Sequence, residues 1–349
     1  MIKKFRKQFG GKISADALNG YQQSPNWKSG KFENLIDTSM AIGAKDIPGL
    51  LYKQLTNRKV REPQNPLSVA TFNKESFLSE ESKGKFIWYG HSVLLMRLMG
   101  MTILIDPMLG SDASPIAPFK TKRFAENTLN LIDDFPEIDL LLISHDHYDH
   151  LDYDSIQKLK AKTKKYYVAL GVKRHLVSWG VDAELISEFD WWDELNFEGV
   201  QITFTPTRHF SGRGITDRAK SLWGGWVFKT TEENIWFSGD GGYGEHFKEV
   251  GERLGPFDFG FMECGQYNEL WRQIHLFPDE SVQAAIDAGV KKAMPVHWCG
   301  FALAMHPWEE PANDFEAHAK QLGLNISYPR LGQQFSTSES INIKWWQEF

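Results

Sequence analysis

The chain has 349 residues, of which 42% are hydrophobic, enough for one large folded domain with an extension. The 39 Lys and Arg residues against 45 Asp and Glu residues give a formal net charge of −6, which disfavours a broad nucleic-acid-binding surface. Cys264 and Cys299 are the only cysteines, so no disulfide framework is expected and the reducing cytoplasm is the simpler location. No apolar run reaches the roughly 18 residues that a transmembrane helix needs.

The N-terminal residues are basic, with Lys3, Lys4, Arg6, Lys7 and Lys12. If this segment is helical, Ile2, Phe5 and Phe9 share one face, which would allow peripheral contact with an anionic membrane. A disordered basic tail is the simpler interpretation. Residues 1–84 show little periodicity and are expected to form an extension packed on the following domain.

Three short apolar runs come next, at residues 86–89, 93–98 and 102–107, and two turns separate them. This spacing predicts an antiparallel meander. Asp106 ends the third run and is expected either to orient a ligand histidine or simply to form a turn. His91, in the first turn, is expected to be a hydrogen-bonding residue near the site rather than a direct ligand.

The densest cluster of potential metal ligands is residues 145–150, with the sequence His-Asp-His-Tyr-Asp-His. It follows an apolar run at 139–144 that predicts a buried strand, and it precedes a helical pattern from 153 to about 162. The cluster therefore lies at the carboxyl end of a core strand, where α/β proteins tend to place their sites. Imidazole nitrogens and carboxylate oxygens suit zinc or another borderline divalent ion.

The motif at 145–150 resembles that of the metallo-β-lactamase-fold hydrolases, in which a later His, Asp and His, each following a strand, complete the metal site. This chain has His209 after the strand-like run at 200–207, Asp240 after 234–239 and His297 after 292–296. Because each of these residues follows a strand, we expect one sheet edge to gather all the ligands.

The pattern His-x-His-x-Asp-His resembles the signature of the metallo-β-lactamase-fold hydrolases, which bind two metals through this motif and a later His, Asp and His. The resemblance implies a first metal held by His145, His147 and His209. It implies a second metal held by Asp149, His150 and His297, with Asp240 bridging the two. The expected cofactors are two Zn²⁺ ions, with Mn²⁺ or Fe²⁺ as alternatives, and a hydroxide between the ions would be the nucleophile.

Segments outside the motif indicate which branch of the family this chain resembles: residues 205–213, 222–227, 238–243, 254–258 and 297–311. Together they look like the N-acyl-phosphatidylethanolamine-hydrolysing phospholipase D branch and its bacterial relatives. That branch has a tyrosine inside the motif, matched by Tyr148, and a histidine near the site, matched by His275. Both join Asp149 and Asp240 as candidate catalytic residues. The mammalian lipase has glutamine where this chain has Ile274, so the contacts with substrate must differ there.

The fold that this resemblance implies is an α/β four-layer αββα sandwich, with the metals at one edge between the sheets. Helices are expected around residues 153–163, 172–179, 244–253, 279–288 and 313–322. The expected organisation is an N-terminal extension at 1–84, a hydrolase domain at 85–335 and a C-terminal tail at 336–349.

Three classes of function remain open. The favoured class is a zinc-dependent phosphodiesterase acting on a small molecule or lipid, such as an N-acyl phospholipid. The second is a hydrolase of lactones, esters or amides, since the same hydroxide attacks carbonyls. The third is a metal-binding or di-iron protein without hydrolytic turnover. Di-iron relatives usually have Glu at the position of His147, which argues against iron redox chemistry. The net charge disfavours a nucleic acid as partner, and the sequence does not indicate an oligomeric state.

Overall fold

The computed structural model describes residues 6–41, 43, 45–81, 83–114 and 120–349. Within the segment predicted to contact a membrane, Ile2, Lys3, Lys4 and Phe5 lie outside the described residues. Every helix in the described part of the chain is too short or too polar to cross a membrane.

The strands of the described structure form one small sheet of two strands and two large sheets of seven strands each. The short strands are β1 (Trp27–Lys28) and β2 (Lys31–Phe32). The first large sheet contains β3 (Lys85–Trp88), β4 (Leu94–Leu98), β5 (Met101–Ile105), β6 (Ile138–Ile143), β7 (Thr163–Ala169), β8 (Ile186–Phe189) and β16 (Gln334–Ser336). The second contains β9 (Glu194–Phe197), β10 (Val200–Thr205), β11 (Gly225–Lys229), β12 (Asn234–Phe237), β13 (Phe259–Glu263), β14 (Lys292–Val296) and β15 (Asn325–Ile326).

The strand order is β16-β3-β4-β5-β6-β7-β8 in the first sheet and β15-β14-β13-β12-β11-β10-β9 in the second. Strands β3, β4 and β5 pair antiparallel, which confirms the predicted meander. From β5 to β8 the pairing is parallel, as it is from β12 to β15. Strand β16 pairs with β3, so a strand near the end of the chain forms one edge of the first sheet.

Aromatic side chains fill the space between the two sheets. The ring of Phe86 on β3 lies 5.6 Å from that of Phe261 and 6.3 Å from that of Phe259, both on β13. At the other end, Phe189 on β8 lies 5.3 Å from Trp226 on β11. All five side chains are buried, and such burial stabilises the sandwich by roughly 25 cal/mol per Å² of apolar surface.

Helices cover the outer faces of the sheets. The five predicted helices are present as Tyr153–Leu159, Lys173–Ser178, His246–Leu254, Pro278–Asp287 and Glu310–Leu322. Shorter or N-terminal helices are Ala15–Tyr21, Ile47–Thr56, Arg58–Arg61, Lys74–Leu78 and Leu131–Asp134. Helix Pro278–Asp287 packs on β13 and Glu310–Leu322 packs on β14, while Lys173–Ser178 contacts β8. The predicted αββα architecture is confirmed.

The chain before residue 85 is attached to this sandwich by side chains of the core. Arg213 donates from Nε to the carbonyl of Gln8 at 2.9 Å, and Trp179 donates from Nε1 to the carbonyl of Lys7 at 2.8 Å. Arg61, itself buried, donates to the carbonyls of Ala302 and Ala304, each at 2.7 Å.

The last residues are packed as well. Residues 336–349 end in a 3₁₀ helix, Trp345–Glu348, whose two tryptophans are buried. The ring of Trp345 lies 6.1 Å from that of Trp298, which directly follows the candidate ligand His297. The C-terminal segment therefore covers the core next to the predicted site.

Candidate metal centre

The seven candidate ligands meet at one end of the sandwich, and they come from both sheets. The motif at 145–150 follows β6 of the first sheet, whereas His209, Asp240 and His297 follow β10, β12 and β14 of the second. Strands β10, β12 and β14 run in the same direction, so their carboxyl ends share one edge. The prediction that a single sheet edge gathers all the ligands was therefore wrong, because the motif reaches the cluster from the facing sheet.

Three histidines form the first group of ligand atoms. His147 Nδ1 lies 3.0 Å from His145 Nε2 and 3.2 Å from His209 Nε2. The Oδ2 atom of Asp240 lies 3.9 Å from the Nε2 atoms of His145 and His209. Zinc–nitrogen bonds of about 2.0 Å in a tetrahedral arrangement place neighbouring ligand atoms about 3.3 Å apart. The spacing of this group therefore fits one shared ion.

The second group consists of Asp149, His150 and His297. Asp149 Oδ2 lies 3.7 Å from His150 Nε2 and 3.4 Å from His297 Nε2. Asp240 Oδ2 lies 3.1 Å from His150 Nε2 and 2.9 Å from His297 Nε2. The same oxygen of Asp240 thus faces both groups, as a bridging ligand would.

Outer hydrogen-bond partners orient three of these histidines. Asp106 Oδ2 accepts from His150 Nδ1 at 2.8 Å, and the hydroxyl of Ser144, 2.6 Å from the same carboxylate oxygen, lies 2.9 Å from His145 Nδ1. The carbonyl of Ile274 accepts from His209 Nδ1 at 2.9 Å. Since each Nδ1 carries the proton of its bond, the Nε2 lone pairs turn towards the cluster. Asp106 is thus hydrogen-bonded to a candidate ligand histidine, as the prediction of its orienting role requires.

The electrostatics of the cluster favour a bound cation. Burial lowers the pKa of His147 to about 4 and holds those of His145 and His209 well below the usual value, so these imidazoles are neutral. Burial also opposes protonation of His150, but Asp240, Asp149 and Asp106 outweigh it and raise its pKa to about 10. Excess negative charge therefore surrounds His150, and a metal ion binding there would displace its proton.

A second observation, on buried ring nitrogens, also supports a metal centre at these residues. The buried Nε2 atoms of His150 and His297 have no hydrogen-bond partner within the described structure, although both point at carboxylates. Leaving a buried polar atom without a partner costs about 1–3 kcal/mol. Together with the mixed nitrogen and oxygen donors, these atoms suit borderline divalent ions such as zinc.

His91 links the two sheets beside the second group. Its Nε2 atom lies 2.9 Å from Asp149 Oδ2, as expected for a residue that supports a ligand. Its backbone N–H donates to the carbonyl of Trp298 at 2.7 Å, and its carbonyl accepts from the N–H of His297 at 2.9 Å. Both histidines have positive φ, 54° for His91 and 68° for His297. Such backbone geometry in non-glycine residues is costly and concentrates at functional sites.

Glu263, which the sequence reasoning missed, lies behind two histidines of the site. Its Oε1 atom lies 2.9 Å from His275 Nδ1 and 3.3 Å from His297 Nδ1, while Oε2 accepts from the N–H of Leu276 at 2.7 Å. A ring nitrogen of His275 also lies within 4.8 Å of ligand atoms of His209 and Asp240. Glu263 ends the buried strand β13, between the strands that precede Asp240 and His297. That position was the signal that could have identified it.

Two motif residues face away from the ligand groups. The hydroxyl of Tyr148 donates to the carbonyl of Arg213 at 2.5 Å, and the Arg213 guanidinium lies 4.0 Å from the centre of the tyrosine ring. Burial raises the pKa of Tyr148 to about 12. In this structure the Tyr148 hydroxyl is therefore engaged with the loop that contains Arg213, and its catalytic role stays a prediction.

Asp146 anchors the motif to the chain after His209. Its carboxylate accepts from the N–H of Gly212 at 2.7 Å and from the hydroxyl of Ser221 at 2.6 Å. The Nε2 atom of His175 lies 3.1 Å from the same group, and His175 Nδ1 accepts from the N–H of Gly11. His175 is thus a buried structural histidine that connects the N-terminal segment to the motif.

An open cavity of about 280 Å³ is lined by five of the seven candidate ligands: His147, Asp149, His209, Asp240 and His297. Apolar side chains complete its wall: Met40, Phe210, Trp271, Ile274 and Leu303. Of four tryptophan and phenylalanine residues near the site in sequence, Trp271 lines this cavity. Trp223, Trp298 and Phe301 are buried, with at most 2% of each exposed. His275 lines the same cavity, and its side chain is 13% exposed.

Comparison with known proteins places these features in a family. A family model described as a beta-lactamase superfamily domain matches residues 101–298. The uncharacterized protein Rv0906 of Mycobacterium tuberculosis (strain ATCC 25618 / H37Rv) is 33% identical over 93% of this chain and 88% of its own length. The N-acyl-phosphatidylethanolamine-hydrolyzing phospholipase D 1 of Caenorhabditis elegans is 32% identical over 66% of this chain and 68% of its own length.

A solved structure supports the fold. Igni18, a metallo hydrolase from the archaeon Ignicoccus hospitalis KIN4/I, superposes with a TM-score of 0.56 at 18% identity. The match covers 72% of this chain and 97% of Igni18.

Proposed function

The chain belongs to the beta-lactamase superfamily and is a metal-dependent hydrolase, and we propose that it cleaves phosphodiesters of the N-acyl phospholipid type or of a related amphiphile. The single observation that carries this proposal is the position of Asp240. Its Oδ2 atom faces two groups of ligand atoms at 2.9–3.9 Å, which supports a site for two cations side by side.

His145, His147 and His209 would hold one ion, and Asp149, His150 and His297 the other, with Asp240 shared. Two bound divalent ions, for which zinc is the expected element, supply Lewis acidity and lower the pKa of a bound water from 15.7 to about 7. A phosphodiester carries one negative charge that two adjacent cations neutralise, which favours this substrate over a neutral ester.

The chain itself supplies a group for proton transfer. Glu263 holds His275 through Nδ1, and because an ionised carboxylate only accepts hydrogen bonds, that nitrogen donates. The other ring nitrogen is then free for the cavity that His275 lines. There it would accept a proton from water or, once protonated, donate to the leaving oxygen.

The similarity to the nematode phospholipase D supports the lipid part of the proposal, since it spans 66% of this chain at 32% identity. The apolar wall of the cavity, with Met40, Trp271 and Leu303, would accept an acyl chain or another apolar arm. Burial of one methylene group there would contribute about 0.8 kcal/mol.

The test is a substrate panel measured on protein whose metal content has been quantified. It contains phosphodiesters with and without acyl chains, a lactone, a carboxylic ester and a β-lactam. We expect kcat/KM to be highest for an acylated phosphodiester. If the lactone or ester exceeds every phosphodiester at least tenfold, the site is a carbonyl hydrolase, and if metal-loaded protein cleaves none of them, the proposed function is wrong.

A further inference from the structure

A groove of about 520 Å³ adjoins the metal cavity and shares four wall residues with it: Met40, His209, Phe210 and Ile274. The N-terminal segment from Lys31 to Met40 and Arg218 also line the groove. A substrate that reacts at the metal centre can therefore extend into this groove without leaving the protein surface.

Arg218 lines the groove and lies against the ring of Phe210, a residue that lines both cavities. Its guanidinium carbon lies 3.9 Å from the centre of the Phe210 ring. Phe210 in turn lies 4.5 Å from the ring of His147 and 4.9 Å from that of His209. One aromatic ring thus separates a cation from two metal-binding candidates. A cation–π contact positions the guanidinium but does not neutralise its charge.

Two charged side chains near Arg218 have other partners. Lys31, which lines the same groove, lies 4.0 Å from Glu33. The carboxylate of Asp217, adjacent in sequence, accepts from the backbone N–H groups of Arg213 and Gly214. Among the described residues Arg218 has neither an acidic partner nor a hydrogen-bond acceptor, and burial alone lowers its pKa. Its five N–H donors are available to a ligand.

We propose that Arg218 binds a second anionic group of the substrate, a carboxylate or a phosphate. This group lies on the substrate arm that extends from the metal centre into the groove. The inference rests on the proposed function, because it specifies which phosphodiesters the site prefers. Guanidinium groups bind both anions through two parallel hydrogen bonds, and these charge-assisted bonds are roughly twice as strong as neutral ones. The preferred substrate therefore carries one charge at the scissile phosphodiester and another on the arm beyond Phe210.

The experiment uses four p-nitrophenyl phosphodiesters that differ in the second arm: propyl, 3-carboxypropyl, 3-phosphonooxypropyl and choline. Wild-type protein should prefer the two anionic arms to propyl by about tenfold in kcat/KM, mainly through KM, and should disfavour choline. Comparing kcat/KM for the carboxylate arm with that for the phosphate arm shows which of the two anions the groove prefers.

Arg218→Gln should remove the preference and leave the rate on the propyl compound unchanged, whereas Arg218→Lys should keep part of it as a point charge. Arg253→Gln is the matched control. Arg253, on helix His246–Leu254, also stacks on an aromatic ring, with its guanidinium carbon 4.1 Å from the centre of the Trp192 ring. The proposal is overturned if Arg218→Gln and wild type show the same ratio between anionic and propyl arms.

Failure of the proposed function gives a different result. If none of the four compounds is cleaved, calorimetric binding of the same compounds to wild type and Arg218→Gln still measures the anion preference. Equal affinities of both proteins for the carboxypropyl, phosphonooxypropyl and propyl compounds would then overturn the assignment of Arg218.

Discussion

The side chain of Asn34 pairs with the backbone of His209 through two hydrogen bonds. Its Nδ2 donates to the His209 carbonyl at 2.8 Å, and its Oδ1 accepts from the His209 N–H at 3.0 Å. Trp223 Nε1 also donates to Oδ1, at 3.1 Å. The N-terminal extension therefore contributes directly to the position of a candidate metal ligand.

Asn34→Ala should weaken the first metal site. Removing the amide leaves the N–H and carbonyl of His209 without these partners, and a buried unsatisfied group costs about 1–3 kcal/mol. We expect activity and metal affinity to fall about 10- to 100-fold, as is usual for outer partners of metal ligands. Asn26→Ala is the control, since Asn26 joins the same extension to Asp190 at 2.8 Å. Equal effects of the two variants would show that Asn34 acts only on overall stability.

Asp106→Asn tests the negative charge of Asp106, whose carboxylate accepts a hydrogen bond from His150. Asp106 has φ 42°, a region that Asn tolerates well, so the substitution adds little backbone strain. The amide cannot accept at both oxygen positions as the carboxylate does, from Ser144 and from His150 Nδ1. Metal titration should show the second ion bound about 10- to 100-fold more weakly. The first ion should be affected less, because Asp106 reaches His145 only through the hydroxyl of Ser144. Parallel loss of both ions would contradict the separate role of Asp106.

The strands were predictable because short-range apolar patterns encode them. The candidate ligands His209, Asp240 and His297 came from the resemblance to a known family, and the structure brings them close to the motif at 145–150. The partners across the molecule were not predictable. Asn34 and His209 are separated by 175 residues, so only the packed fold brings them together.

Tyr148 shows the same limit within the motif. Its position between His147 and Asp149 suggested a role in the site, but the acceptor of its hydroxyl proton is set by the loop that contains Arg213. Likewise the burial of Trp223 and Trp298 depends on layers formed by distant segments, so composition alone could not separate them from Trp271, which lines the cavity.

We expect two metal ions per chain. Asp240→Ala should abolish the activity and bind both ions more weakly. Asp240 Oδ2 faces both groups of ligands, so its removal deletes one ligand from each. His147→Ala should also abolish hydrolysis but should reduce the metal content by about one ion. Elemental analysis and far-ultraviolet circular dichroism would measure metal and fold together. Asp133→Ala, at a surface ion pair with Lys158, is the control. Fewer than one ion per chain in unchelated wild type would contradict the two-ion site.

His275→Ala should lower kcat for phosphodiesters about 10²- to 10⁴-fold, the range of a lost general acid or base. KM should change little, because the ligand groups would still bind the phosphoryl group. His318→Ala is the matched control, since this histidine lies on helix Glu310–Leu322 in the outer layer.

Glu263→Gln separates the orientation of His275 from its chemistry. The amide keeps the size of the side chain but is neutral and can donate as well as accept, so it no longer fixes the Nδ1–H form of His275 and His297. We expect a smaller fall in kcat than in His275→Ala, and a weaker second metal because His297 loses the same partner. The double variant should be no slower than His275→Ala at saturating metal, since both changes act through one imidazole. Multiplied losses in the double variant at full metal occupancy would show that Glu263 acts on catalysis independently of His275.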